Sequence, residues 1–193
     1  MKKNFGAILL MTGLTACNSG SLEPGSAAVS PDTEQTAGWH EYGGHKAGKF
    51  SELNQINRHN VTELEVAWTH HSGDIADGSG EWGFTSLQVT PLVVADTLYY
   101  CTPFGRVFAL AAESGEQRWV FDPQVSNKHS GLYPAVCRGV SYWRAQQSRG
   151  ERCDERILYG TRDAELIALD AATGLPCEDF GSAGRVSLKE GID

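Results

Sequence analysis

Five cysteines carry the side chains best suited to metal binding, redox chemistry or cross-linking. One is Cys17, and the other four are Cys101, Cys137, Cys153 and Cys177. None of their spacings forms a CxxC clip, so no zinc site is expected. In an oxidising compartment the even set of four reads as disulfides, with three pairings open. Cys153 precedes a strand at Arg156, and Cys177 follows the hairpin which that strand begins. This favours Cys153 with Cys177 and leaves Cys101 with Cys137, although free buried thiols would leave the same trace at the second pair. The six histidines, including His70-His71, show no HxxxH or HxH arrangement that would converge on a metal. They read as strand or loop residues; His129 lies in a long insertion of the kind that faces ligands. Asp122, ahead of Pro123, reads as a turn that ends a strand, and Asp163 as a hairpin tip, so neither is taken as a catalytic acid.

The elements that must position these groups are announced by an internal repeat. Leu98-Tyr-Tyr-Cys-Thr-Pro-Phe-Gly-Arg-Val-Phe-Ala-Leu-Ala-Ala-Glu-Ser-Gly115 matches Ile157-Leu-Tyr-Gly-Thr-Arg-Asp-Ala-Glu-Leu-Ile-Ala-Leu-Asp-Ala-Ala-Thr-Gly174 at an offset of 59 residues. Each copy reads as an apolar strand, a short turn, a second apolar strand and a polar turn ending in glycine. In Val107-Phe-Ala-Leu110 and Leu166-Ile-Ala-Leu169 the apolar residues run together, so both faces of these strands are expected to be buried. Sheets stacked radially bury both faces, which points to an all-β propeller, with an ordinary sandwich core as the plainer alternative. Trp119 lies four residues beyond Gly115, and Phe180 six beyond Gly174. An aromatic at such a point is expected to wedge between neighbouring blades, beside a glycine that lets the chain reverse.

Residues 1–16 combine Lys2 and Lys3 with the apolar run Phe5 to Leu14, too short to span a bilayer as a stable helix. With Leu14-Thr-Ala-Cys17 they read as a lipoprotein signal whose Cys17 becomes the acylated first residue. Residues 17–38, rich in Ser, Gly, Pro and Ala, read as a flexible tether, and residues 39–193 as the folded part. Loss of residues 1–16 removes two lysines and no acid, taking the formal charge from −8 to −10. So acidic a chain argues against a nucleic-acid partner and against electrostatic adhesion to anionic lipid, leaving acyl chains as the attachment.

From Trp39 the chain reads Trp-His-Glu-Tyr-Gly-Gly44, Phe50-Ser-Glu-Leu-Asn-Gln-Ile-Asn57, Asn60-Val-Thr-Glu-Leu-Glu-Val-Ala-Trp68 and Gly73-Asp74. Further on come Thr90-Pro91-Leu-Val-Val94, Leu98-Tyr-Tyr-Cys-Thr102, Cys137-Arg-Gly-Val-Ser-Tyr-Trp143 and Ala168-Leu-Asp-Ala-Ala-Thr-Gly174. In order and spacing these segments resemble the quinoprotein dehydrogenases that use pyrroloquinoline quinone (PQQ), in particular the membrane-associated glucose, quinate and shikimate group. The resemblance implies an eight-bladed propeller with PQQ on its axis beside a calcium ion. A sugar, polyol or alcohol would give hydride to the quinone, and electrons would pass to a respiratory quinone or another acceptor. Together with the lipoprotein-like signal and Cys17, this makes the expected location periplasm-facing and lipid-anchored to a bacterial membrane, with the outer membrane favoured.

Carried over residue by residue, Arg138 matches the arginine that relatives direct at the anionic cofactor, whose carboxylates a planar guanidinium clamps with parallel hydrogen bonds. Gln88 stands where relatives have a glutamate near the quinone, and keeps an acceptor while losing the charge. Three residues before Cys137, glucose-oxidising relatives have a histidine where this chain has Pro134, and alcohol-oxidising cousins place adjacent cysteines nearby. This chain has neither, and Tyr133 is expected either to stack on the cofactor or to pack in its loop. At roughly 40 to 60 residues per blade, residues 39–193 hold two repeat units and part of a third, short of eight. The expectation is therefore an N-terminal fragment of the propeller, inactive alone, with the calcium ligands and the catalytic base beyond residue 193. The alternative is a non-enzymatic propeller scaffold lipoprotein of the outer-membrane protein assembly type. Phe50–Asn57, Asn60–Trp68 and Cys137–Trp143 resemble the enzymes and not the scaffolds.

Overall fold

Val107-Phe-Ala-Leu110 cannot expose either face without cost, and the backbone answers by pairing on both edges and packing on both sides. In the computed structural model, which describes residues 38–44, 48–51, 53–126 and 134–190, this run is the third strand of a four-stranded antiparallel sheet. The strands are β1 (Leu92–Val94), β2 (Thr97–Cys101), β3 (Val107–Ala111) and β4 (Gln117–Phe121), neighbours in that order. The second repeat copy builds a matching sheet from β5 (Ser141–Arg144), β6 (Glu155–Gly160), β7 (Glu165–Asp170) and β8 (Arg185–Ser187). Among the described residues, the remaining regular element is a 3₁₀ turn at Val61–Glu63.

The hairpins turn where the residues allow it. Between β2 and β3 the tip Thr102-Pro-Phe-Gly-Arg106 places Gly105 at φ +82, a conformation glycine adopts freely. Between β6 and β7, Ala164 takes φ +60 behind Asp163, which stands at the tip as expected. Antiparallel connectivity puts both tips at the same end of the sheets as the segments leading into β1 and β5.

The two sheets pack through one core. Tyr99, Cys101, Val107, Ala109 and Trp119 of the first meet Ile157, Tyr159, Ile167 and Leu169 of the second. The isoleucines, Leu169 and Val107 are fully buried, each stabilising the fold by about 1.5–3 kcal/mol. The other face of the first sheet, with Tyr100, Phe108 and Leu110, is covered by Trp68 and Val89. Both faces of β3 are thus buried, as the continuous apolar run predicts.

A tryptophan locks each repeat turn. Trp119 donates its indole N–H to Ala171 O at 3.0 Å and lies so close to Gly174 that a Cβ there would meet the ring at 2.6 Å. Tyr99 donates to the same carbonyl at 3.0 Å, so two residues of the first sheet clamp the second. One repeat earlier Trp68 does the same, bonding Ala112 O at 3.1 Å with its ring on Gly115. Phe180 is not the counterpart of Trp119. After β7 the chain first pairs back on that strand, with Cys177 N donating to Ala168 O at 2.9 Å, and Phe180 packs on the Cys153, Ala168 and Cys177 cluster of its own sheet.

Cys153 and Cys177 form a disulfide inside the second sheet, and Cys101 and Cys137 a second one that joins the two sheets. With partners 24 and 36 positions apart in sequence, chain-entropy arguments assign each about 3–4 kcal/mol. No helix among the described residues is long and apolar enough to cross a membrane.

Candidate functional site

The edge strands β1 and β5 start side by side. The segments that feed them run parallel: Ala135 N donates to Phe84 O at 2.8 Å, Ser86 N to Ala135 O at 3.1 Å, and Thr90 N to Arg138 O at 3.3 Å. Trp39 covers the edge of β1 that faces away from β2 by exchanging two backbone bonds with Val93, at 2.7 and 3.0 Å, and the neighbouring His40 ring lies 6.0 Å from that of Tyr142 on β5. The β1 and β5 edges therefore converge, as the inner edges of radially arranged sheets do.

Gln88 and Arg138 sit on these two paired segments. Thr90, two residues beyond Gln88, bonds the carbonyl of Arg138 itself. Both side chains are exposed. Gln88 spends one amide N–H on Ser86 Oγ at 3.3 Å, and among the described residues nothing accepts from or pairs with the Arg138 guanidinium. A planar five-donor cation with no internal acceptor, beside a carboxamide, is a donor set suited to an anionic carboxylate ligand. These residues fit PQQ in that respect. The Cys101–Cys137 disulfide stands next to Arg138 and ties its segment to the end of β2.

The same end of the sheets holds a second polar group that residue types alone did not reveal. Asp74 is 5% exposed, and its carboxylate accepts from Thr102 Oγ1 and from the Nε and Nη2 of Arg106. Arg106 also donates to Ser72 O at 2.6 Å. The carboxylate beside it pushes the Arg106 guanidinium further up from its ordinary range. With Trp82 and Phe104, whose rings stack at 4.3 Å, and with Asp122 and Gln124, the pair lines a cleft of about 290 Å3. Arg162, at the β6–β7 tip, lies over the Trp82 ring at 5.8 Å, and its Nη1 is buried without a hydrogen-bond partner. Gln88 and Arg138 do not line this cleft. Gly73-Asp74 was visible as a motif, but nothing in the sequence linked it to Arg106, and Trp82 carried no signal.

Asp122 accepts from Gln124 N at 2.8 Å just after β4, the turn its sequence predicts. Asp163 turns back to take the Ser126 N–H at 2.7 Å, tying the β6–β7 tip to the segment that leaves β4. His70 accepts or donates at 2.7 Å to the Tyr100 hydroxyl, and burial together with the neighbouring His71 pulls its pKa below the ordinary value. Among the described residues one cluster has metal-ligand spacing, Cys153, Cys177 and Asp179, and its cysteines are bonded to each other. Cys17, His129 and Tyr133 lie outside the described residues.

Residues 39–193 match the PQQ family described as the glucose/ethanol/alcohol dehydrogenase β-propeller domain. The chain is similar to the quinoprotein glucose dehydrogenase of Escherichia coli (strain K12), 37% identical over 171 residues, covering 86% of this chain and 21% of that protein. It is also similar to the quinate/shikimate dehydrogenase (quinone) of Acinetobacter baylyi, 35% identical over 181 residues, covering 85% of this chain and 22% of that one. Among solved structures, the quinohemoprotein alcohol dehydrogenase from Comamonas testosteroni superposes with a TM-score of 0.62 at 28% identity, over 82% of this chain and 20% of that one. The chain spans about a fifth of the length of these relatives.

Proposed function

The chain belongs to the PQQ-dependent glucose/ethanol/alcohol dehydrogenase family through its β-propeller domain, and from that premise we propose that residues 39–193 are N-terminal blades of an eight-bladed quinoprotein dehydrogenase. The observation that carries this reading is the pairing of the Gln88 and Arg138 segments at the converging β1 and β5 edges. Arg138 holds an anionic carboxylate of PQQ through charge-assisted hydrogen bonds. Gln88 adds a neutral donor and acceptor, so this side of the cofactor is set by hydrogen bonding without a fixed negative charge. When bound, PQQ accepts hydride from a CH–OH group of a sugar, polyol or alcohol and relays the electrons to a respiratory quinone or another acceptor. Calcium and the general base are assigned to no residue of this chain. The likeness to glucose and to quinate/shikimate dehydrogenases favours that substrate group.

The signal-like residues 1–16, Cys17 and the tether 17–38 support a lipid-anchored protein facing the periplasm, attached to the outer membrane by preference. The family match over residues 39–193 disfavours the scaffold alternative. The test is reconstitution of the intact protein with PQQ and calcium, followed by reduction of an artificial electron acceptor with glucose, quinate, shikimate and glycerol in turn. PQQ-dependent turnover of at least one is expected, with PQQ affinity falling about 10- to 100-fold in Arg138→Ala. Absence of PQQ binding, or equal affinity in that variant, would contradict the reading.

A further inference from the structure

The Cys101–Cys137 disulfide is placed differently from Cys153–Cys177. The latter joins two points of the second sheet, packed with Leu158, Ala168 and Phe180. The former crosses from the buried end of β2, where Cys101 is 0% exposed, to the segment entering β5, one residue before Arg138. Three residues before Arg138, Ala135 makes two backbone bonds with the Phe84–Ser86 stretch, at 2.8 and 3.1 Å, but at Arg138 itself the tie to the segment entering β1, among the described residues, is one longer bond, Thr90 N to Arg138 O at 3.3 Å. That longer bond leaves the backbone at Arg138 less firmly held than at Ala135; a covalent link from the adjacent residue to a fully buried strand end fixes where it sits.

We infer that the Cys101–Cys137 bridge is a positioning device for Arg138, presetting the guanidinium for a PQQ carboxylate. This rests on the reading of the Gln88–Arg138 edge as the PQQ site. The bridge touches the cofactor only through Arg138, so its removal weakens PQQ binding without removing a contact. Cys153–Cys177, of similar loop length in the same fold, stabilises the second sheet and leaves the cofactor alone.

The two bridges control for each other. In the intact protein, Cys101→Ala/Cys137→Ala and Cys153→Ala/Cys177→Ala should both lower the melting temperature. The first pair should raise the Kd for PQQ about tenfold, and the second should leave it within about twofold of the unaltered protein. A second measurement needs no variant: coupling between bridge and cofactor is reciprocal. With the cofactor supplied as its reduced quinol under anaerobic conditions, because the quinone itself oxidises dithiothreitol, saturation should therefore raise, by about tenfold, the ratio of reduced to oxidised dithiothreitol that half-opens Cys101–Cys137, and leave that for Cys153–Cys177 unchanged. Alkylation and mass spectrometry read the two bridges separately, so this decides the matter even where the first double variant does not fold. Equal PQQ affinity in the two folded double variants, or a half-opening point for Cys101–Cys137 that PQQ leaves unmoved or moves equally in both bridges, overturns the inference while leaving the cofactor site standing. Failure of the unaltered protein to bind PQQ removes the site and the inference together.

Discussion

Asp170 ends β7 with its carboxylate turned inward, 5% exposed. Burial raises its pKa, but hydrogen bonds from Cys153 N at 2.7 Å, Thr173 Oγ1 at 2.7 Å and Thr173 N at 2.9 Å outweigh this, and the net value is lowered from 3.8. A carboxyl lowered by folding contributes stability that is fully present above its unfolded value and is lost as the pH falls through its folded one. Asp170→Asn should therefore cost about 1–3 kcal/mol at pH 7, and the melting temperatures of variant and parent should draw together below about pH 4. Thermal melts across that range check it; a gap that stays constant with pH would show that the bonds do not depend on charge. Asp170 could be seen in the sequence only as the acid before Ala171-Ala-Thr-Gly174. Its partner Cys153 is 17 residues back, and no local pattern links them.

At the scale of the element, the glycine of each repeat turn and the tryptophan that covers it act as one unit. Gly174 takes φ +72, and an alanine there would be strained by the backbone and pressed into the Trp119 ring. Gly174→Ala should cost about 1–3 kcal/mol and Trp119→Leu about 2–4 kcal/mol. Because the smaller side chain relieves the clash, the double variant should lose about 1 kcal/mol less than the two together. Additive losses in denaturant unfolding would mean that the ring and the turn are not coupled. The glycine turns were legible because they recur 59 residues apart with the same flanking alanines. Trp119 was legible because it follows such a turn. Trp68 was not, because the stretch that carries it precedes any visible repeat, and Phe180 stands before β8 and not on it, which spacing from a glycine cannot reveal. Arg138 and Gln88 were found through family motifs; their juxtaposition came from parallel backbone pairing between residues about 50 apart, which sequence periodicity does not encode.

For the molecule as a whole, the two sheets show how stacking buries both faces of a strand, with the β1 and β5 edges converging at one side. The proposed lipid attachment belongs to this scale. Cells fed a labelled fatty acid should incorporate it into the parent protein and not into Cys17→Ser, and the variant should leave the membrane fraction; equal labelling would rule out Cys17 as the anchor. The central claim is that the converging edges hold PQQ through Arg138. The most direct measurement is an experimental structure of the intact protein with PQQ bound. It should place the Arg138 guanidinium about 2.7–2.9 Å from a PQQ carboxylate oxygen, with Gln88 alongside. PQQ bound away from the β1 and β5 edges, or Arg138 turned from it toward the outer rim, would contradict the account.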